Sequence, residues 1–185
     1  MKYDYLKKFI TPLWSNSRYN NWFYNVKEET ITKVEKEVGF EFPQALKEFW
    51  LEIGDGCLLS SEKELEKPID GLEAKNASNT FWGPEELANM MSDDEEREGY
   101  HWLAQEFLDG IERPNPIPFF EMSDSSRFLF MFPGDDAVYD YNPWIPSGNE
   151  DFVTIFKFEE HLSDFVYKLY HESAIYYSWA KREPE

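Results

Sequence analysis

The chain alternates between two hydrophobic periods, and the switch between them marks its organisation. Ile31, Val34 and Val38 recur at helical spacing, and Leu46, Phe49, Trp50 and Ile53 do so again. The two runs are separated by Gly39, suited to a left-handed helix end, and by Phe42-Pro43, which places proline at the start of the second helix. The spacing predicts a helical hairpin over Asn25–Gly39 and Pro43–Ile53, with Asn25 and Glu28 as a capping box and Gly54-Asp55-Gly56 as the closing turn. Upstream, Tyr3, Leu6 and Ile10 suggest a short helix stopped at Thr11-Pro12, and residues 15–21 read as loop. Downstream, residues 57–60 and 79–82 are short strand candidates, and Gly83-Pro84-Glu85-Glu86 opens another helix. Ser92 with Glu95 opens a further one, carried by Tyr100, Leu103, Ala104, Phe107 and Leu108.

After Pro114, Pro116 and Pro118 the period falls to two. Residues 117–122, 127–132, 137–141 and 152–156 read as four strands of one antiparallel sheet, with turn chemistry at 123–126 and 133–136. The segment Arg127-Phe128-Leu129-Phe130-Met131-Phe132 is apolar on both alternations, as a strand covered on both faces would be. Phe158, Leu162, Phe165, Val166 and Leu169 then mark a C-terminal helix. Helices, strands, helices, strands and a helix in that order make an α+β fold. The expected packing puts both hairpin helices on one sheet face, burying Phe49, Trp50, Phe128, Phe130 and Phe165 there.

Length and composition narrow the picture. At 185 residues with 18 % aromatics the chain can bury a full core, and an acidic disordered tail would lack such rings. One cysteine, Cys57, excludes a disulfide framework. No apolar run approaches the ~18 residues of a membrane span, and the N-terminus lacks a secretory pattern, so a cytoplasmic location is expected. The formal net charge is −19, distributed as −1 over residues 1–60, −11 over 61–130 and −7 over 131–185. Such a charge repels nucleic acid and anionic membranes and attracts a basic protein.

Candidate chemistry is sparse. His101, His161 and His171 lack ligand-spaced partners, and no phosphate-cradling loop or nucleophile elbow is present, so no catalytic, metal or cofactor site is expected. The carboxylate run Asp93, Asp94, Glu95 and Glu96 reads as a helix start, and Asp135-Asp136 as part of a turn. For protein recognition these six acids are nonetheless the candidate contacts, with Tyr139, Tyr141 and Trp144 as aromatic anchors.

Several segments, in order along the chain, resemble the SUKH superfamily. They are Ile31–Gly39 with Glu35 inside, Phe42-Pro43, Leu46–Trp50 and Gly54-Asp55-Gly56; Phe81-Trp82-Gly83-Pro84-Glu85-Glu86-Leu87; Ile117-Pro118-Phe119-Phe120 leading into Phe128-Leu129-Phe130; and Phe156 to Leu162. Lys157 and His161 depart from the usual closing motif, and residues 1–25 and the helix near 92–110 look like additions. The resemblance implies one SUKH-like domain over 26–185 behind an N-terminal extension, with a sheet of about four to six strands and helices mainly on one face. It also implies a non-enzymatic binding module. Bacterial members are similar to immunity proteins that neutralise secreted toxins, often nucleases. Fungal members are similar to regulators of cell-wall glucan synthesis. An immunity protein with a basic toxin domain as partner is the expected function, and a wall-type regulator is the alternative.

Overall fold

The computed structural model describes residues 2–13, 21–62, 79–91, 113–122, 127–141 and 155–172. A 3₁₀ turn over Asp4–Phe9 leads to β1 (Trp22–Tyr24), then α1 (Glu28–Val38), α2 (Gln44–Glu52), β2 (Asp55–Cys57), β3 (Thr80–Phe81) and α3 (Pro84–Met90). The second half holds β4 (Ile117–Met122), β5 (Arg127–Phe132), β6 (Asp135–Tyr141), β7 (Ile155–Glu159) and α4 (Leu162–His171). The strands form one antiparallel sheet in the order β1 to β7, so every strand lies beside its neighbours in sequence. The seven strands among the described residues exceed the four to six expected. The additional edge strand is Trp22-Phe23-Tyr24, whose brevity hides its alternation among the neighbouring aromatic and Asn residues.

Three strands sit differently from expectation. β2 begins inside the glycine turn, because Gly54 and Gly56 have φ of 110° and 151° and press against β1. A Cβ on Gly54 would lie 1.6 Å from the Tyr24 carbonyl oxygen, so only glycine lets the two strands meet. β6 begins at Asp135, two residues before the expected start, since Pro133-Gly134 alone completes the turn. β7 extends to Glu159, three residues past the expected end, because it pairs with β6 through Val138–Glu159 and Tyr139–Lys157, so Phe158 belongs to this strand and not to the C-terminal helix, which begins at Leu162. The expected capping box at Asn25 is absent. Lys27 holds the N-cap position of α1 and makes no side-chain cap bond.

The sheet register sorts the side chains. Phe23, Gly56, Phe81, Phe120, Leu129 and Asp140 form one continuous cross-strand row. Trp22, Cys57, Thr80, Glu121 and Phe128 form the adjacent row, which points to the opposite face. The first row meets the helices. Phe49 of α2 lies 6.0 Å from Phe23 and 4.8 Å from Phe81, and Phe165 of α4 lies 5.1 Å from Phe120, ring centre to ring centre. Gly56 stands in this row between Phe23 and Phe81, whose rings approach to 6.0 Å. Such edge and tilted ring contacts add to the burial of apolar area, which is the main stabilising term.

Phe49, Trp50, Phe128, Phe130 and Phe165 are all buried, as expected. They do not share a face, however. Phe128 lies in the row opposite Leu129, and Phe130 follows Phe128 by two, so both point away from the α2–α4 layer. β5 is therefore buried on both faces, as its doubly apolar pattern requires.

The described residues before α1 contribute to the same core. Tyr3, Leu6, Phe9 and Phe23 are buried, and Tyr3 packs edge-on against Phe49 at 5.1 Å. Thr11 donates its N–H to Phe23 at 2.9 Å, so residues 10–11 cover part of the outer edge of β1.

Candidate protein-binding site

Asp135 and Asp136 are adjacent in sequence but their side chains do different work. The Asp136 carboxylate accepts the backbone N–H of Ala45 at 2.9 Å, in the first turn of α2, and so satisfies one of the donors that a helix start leaves open. Asp135 instead accepts the Tyr139 hydroxyl at 2.7 Å, the Ala137 N–H at 3.0 Å and an ion pair from Arg113 at 2.8 Å. Burial pushes the Asp135 carboxyl up, yet these three donors outweigh it and hold the group below its ordinary range. The Arg113 guanidinium lies over the Phe132 ring at 4.2 Å and the Tyr139 ring at 5.4 Å. Arg113, Asp135 and Tyr139 thus form one half-buried, ordered unit that the sequence reading reached only through its acid and its phenol.

Tyr141 is the last residue of β6, paired with Ile155, and its side chain lies outside the described residues. Asp93, Asp94, Glu95, Glu96 and Trp144 also lie outside them, as do the expected helix near 92–110 and His101. His171 sits at the end of α4, where Nδ1 is 2.6 Å from Glu62. His161 is an exposed residue at the start of α4. Among the described residues no group of His, Cys, Asp and Glu is placed to hold a metal ion. No described helix is long and apolar enough to cross a membrane.

The other candidate surface is one that the sequence reading treated as a turn. Where the ends of β1, β2 and β3 meet the starts of α1 and α3, a concavity of about 280 Å³ is lined by Lys27, Thr30, Asp55, Gly83, Glu85 and Glu86. Asp55 opens β2 directly opposite Tyr24. Its carboxyl is pushed up to about 6, first by burial, then by the negative charges of Glu86 and Glu85, against one backbone hydrogen bond. Gly83 keeps this corner tight, since a Cβ there would come 2.7 Å from Glu86 Oε2 and 3.1 Å from Asp55 Cβ. Further along the face, Glu121 on β4 is half-buried and burial raises its carboxyl as well. Cys57 lies between them, buried, with its thiol pushed up to about 11, chiefly by burial. A thiol held in that form is a packing group rather than a nucleophile.

Glu35, singled out by the resemblance, has a structural task. It accepts the Phe42 N–H at 2.9 Å and pairs with Lys47 at 3.1 Å, clamping the link between α1 and α2.

The SMI1 / KNR4 family (SUKH-1) model matches residues 25–168, from the loop before α1 to the last turns of α4. The chain belongs to this family. The expected superfamily is therefore correct, and the match spans the helical hairpin, all strands from β2 to β7 and most of α4. β1 and the 3₁₀ turn precede the matched region while completing this member's sheet edge and core. No curated protein and no solved structure matches the chain.

Proposed function

We propose that this family member is an immunity protein that binds a toxin domain and blocks it by occupying a basic surface, without chemistry of its own. The observation that carries the reading is the net charge of −19 on a SUKH-1 domain, of which −18 lies after residue 60. A nuclease-type toxin must hold phosphate with basic residues, and an acidic protein competes for the same surface. Long-range attraction between the two speeds their encounter and disfavours acidic partners.

Co-expression with any toxin domain encoded beside this gene tests the reading. Restored growth and co-purification of the pair support it. Continued toxicity with no complex overturns it. A wall-synthesis regulator, the alternative function, would instead bind its partners in the absence of any such toxin, and an affinity pull-down from the source organism separates the two.

A further inference from the structure

We infer that the sheet face turned away from α2 and α4 carries a seat for an arginine-bearing segment of the basic partner, built from Trp22, Tyr24, Asp55 and Glu121. The inference deepens the proposed function and rests on its basic partner.

The register places these groups together. Trp22 stands opposite Cys57, Cys57 opposite Thr80 and Thr80 opposite Glu121, while Tyr24 stands opposite Asp55. All four therefore project from one face. Trp22 and Tyr24 are half-buried, and their rings lie 5.0 Å apart at 46° on the edge strand. A buried Cys57 and a half-buried Thr80, linked by a 3.6 Å contact, form the floor between the rings and Glu121.

The charges here are unbalanced. Asp55 and Glu121 are both half-buried, and both carboxyls bear the cost of burial. No ion pair within 4 Å reaches either of them among the described residues. Lys27 lines the adjoining concavity without pairing with them. Glu159, by comparison, is buried and receives two bonds from the Lys168 ammonium, both 2.9 Å. Carboxylates withdrawn from water are ordinarily given such a cation, so Asp55 and Glu121 are matched to one that arrives from outside.

The aromatic pair selects which cation. A guanidinium is planar, weakly hydrated and stacks on indole and phenol rings while its N–H groups reach a carboxylate in the same plane, whereas an ammonium is a strongly hydrated point charge. One arginine over Trp22 and Tyr24 would meet Asp55 beside it. Glu121 stands two strands farther on and two residues along, in the row of Cys57, about 12 Å away. Arginines at positions i and i+2 of an extended segment lie on one side about 7 Å apart, close enough for their long stems to span both acids.

The probe is acetyl-Arg-Gly-Arg-amide, titrated into the full chain at low salt, with the indole N–H signal of Trp22 followed by NMR and assigned through Trp22→Phe. The arginine peptide should shift that signal saturably, and its citrulline analogue, equal in shape and uncharged, should not. Asp55→Asn with Glu121→Gln should weaken binding about tenfold or more, while Glu28→Gln with Glu29→Gln, an equal charge change on the exposed face of α1, should weaken it less than about twofold. Both seat substitutions remove a charge disfavoured by burial, so thermal melting should show the fold intact. If that pair nonetheless melts early, Asp55→Asn alone and Tyr24→Leu read the same loss. An unmoved Trp22 signal, or equal weakening by the two double variants, overturns the seat. Toxin bound at parental affinity by Asp55→Asn/Glu121→Gln also overturns the seat while leaving the immunity reading intact. Saturable peptide binding at Trp22 combined with failure to rescue growth supports the seat and rejects the immunity reading.

Discussion

Asp55 couples the candidate surface to pH. Its folded carboxyl titrates at about 6, whereas the unfolded group keeps the ordinary aspartate value of about 4. Between those values the folded chain holds a proton that the unfolded chain releases, so Asp55 stabilises the fold at low pH and that contribution is lost as pH rises through about 6. A two-unit shift corresponds to roughly 3 kcal/mol, and the part-exposed position reduces this to about 1–2 kcal/mol. Glu121 shifts in the same direction. Asp135 and the half-buried Glu48 are shifted the other way, and their contributions are lost only when pH falls into the ordinary carboxylate range. Chemical denaturation should therefore show higher stability at pH 5.5 than at pH 7.5. Asp55→Asn should raise stability at pH 7.5 by about 1 kcal/mol and flatten the profile between those two points. A steeper profile in the variant would contradict this account.

At the scale of elements, the joints between helices and sheet are the sensitive points. Gly54→Ala forces a Cβ into the Tyr24 carbonyl and strains a φ of 110°, so it should cost ~3 kcal/mol or more and read out as a large fall in melting temperature or as insoluble protein. Gly134→Ala is the matched control. Its φ is 73°, but nothing lies within 4 Å of the added Cβ, so it should cost only about 1 kcal/mol. Asp136→Ala removes the bond to the Ala45 N–H and should cost about 1 kcal/mol in urea unfolding, with Asp136→Asn recovering part of it. Asp135→Ala acts elsewhere, freeing Arg113 and Tyr139 on the opposite face. Two neighbouring aspartates should thus destabilise by separate routes, and their double variant should be close to additive.

At the scale of the molecule, the proposed acidic contact surface and the proposed Trp22 seat should govern different rates. Charges at the rim act over about a Debye length, ~8 Å at physiological salt, so raising salt should slow association with a basic partner steeply and change dissociation less. An aromatic anchor is released only when the complex opens, so Trp22→Ala should mainly speed dissociation. Association and dissociation rates measured against salt test both statements, and a salt-independent association rate would reduce the charge of −19 to a solubility device.

Helix periodicity, the Gly39 and Pro43 punctuation and the long strands at 117–122 and 127–132 were legible along the chain, because each is written in local backbone preference and repeated apolar spacing. The α+β class and the family followed from their order. Of the short strands, β3 fell inside the expected 79–82, whereas β1 was missed and β2 was displaced, because two or three residues carry too little periodicity and take their stability from hydrogen bonds to distant strands. The division of Asp135 and Asp136 between Arg113 and α2 depends on partners 22 and 91 residues away, separations that no local pattern encodes. The assembly of Trp22, Tyr24, Asp55 and Glu121 on one face depends on register across four strands. Composition determined that the protein is acidic and aromatic. Only the pairing of strands decided which acids stand beside which rings, since a slip of one residue would send each side chain to the other face.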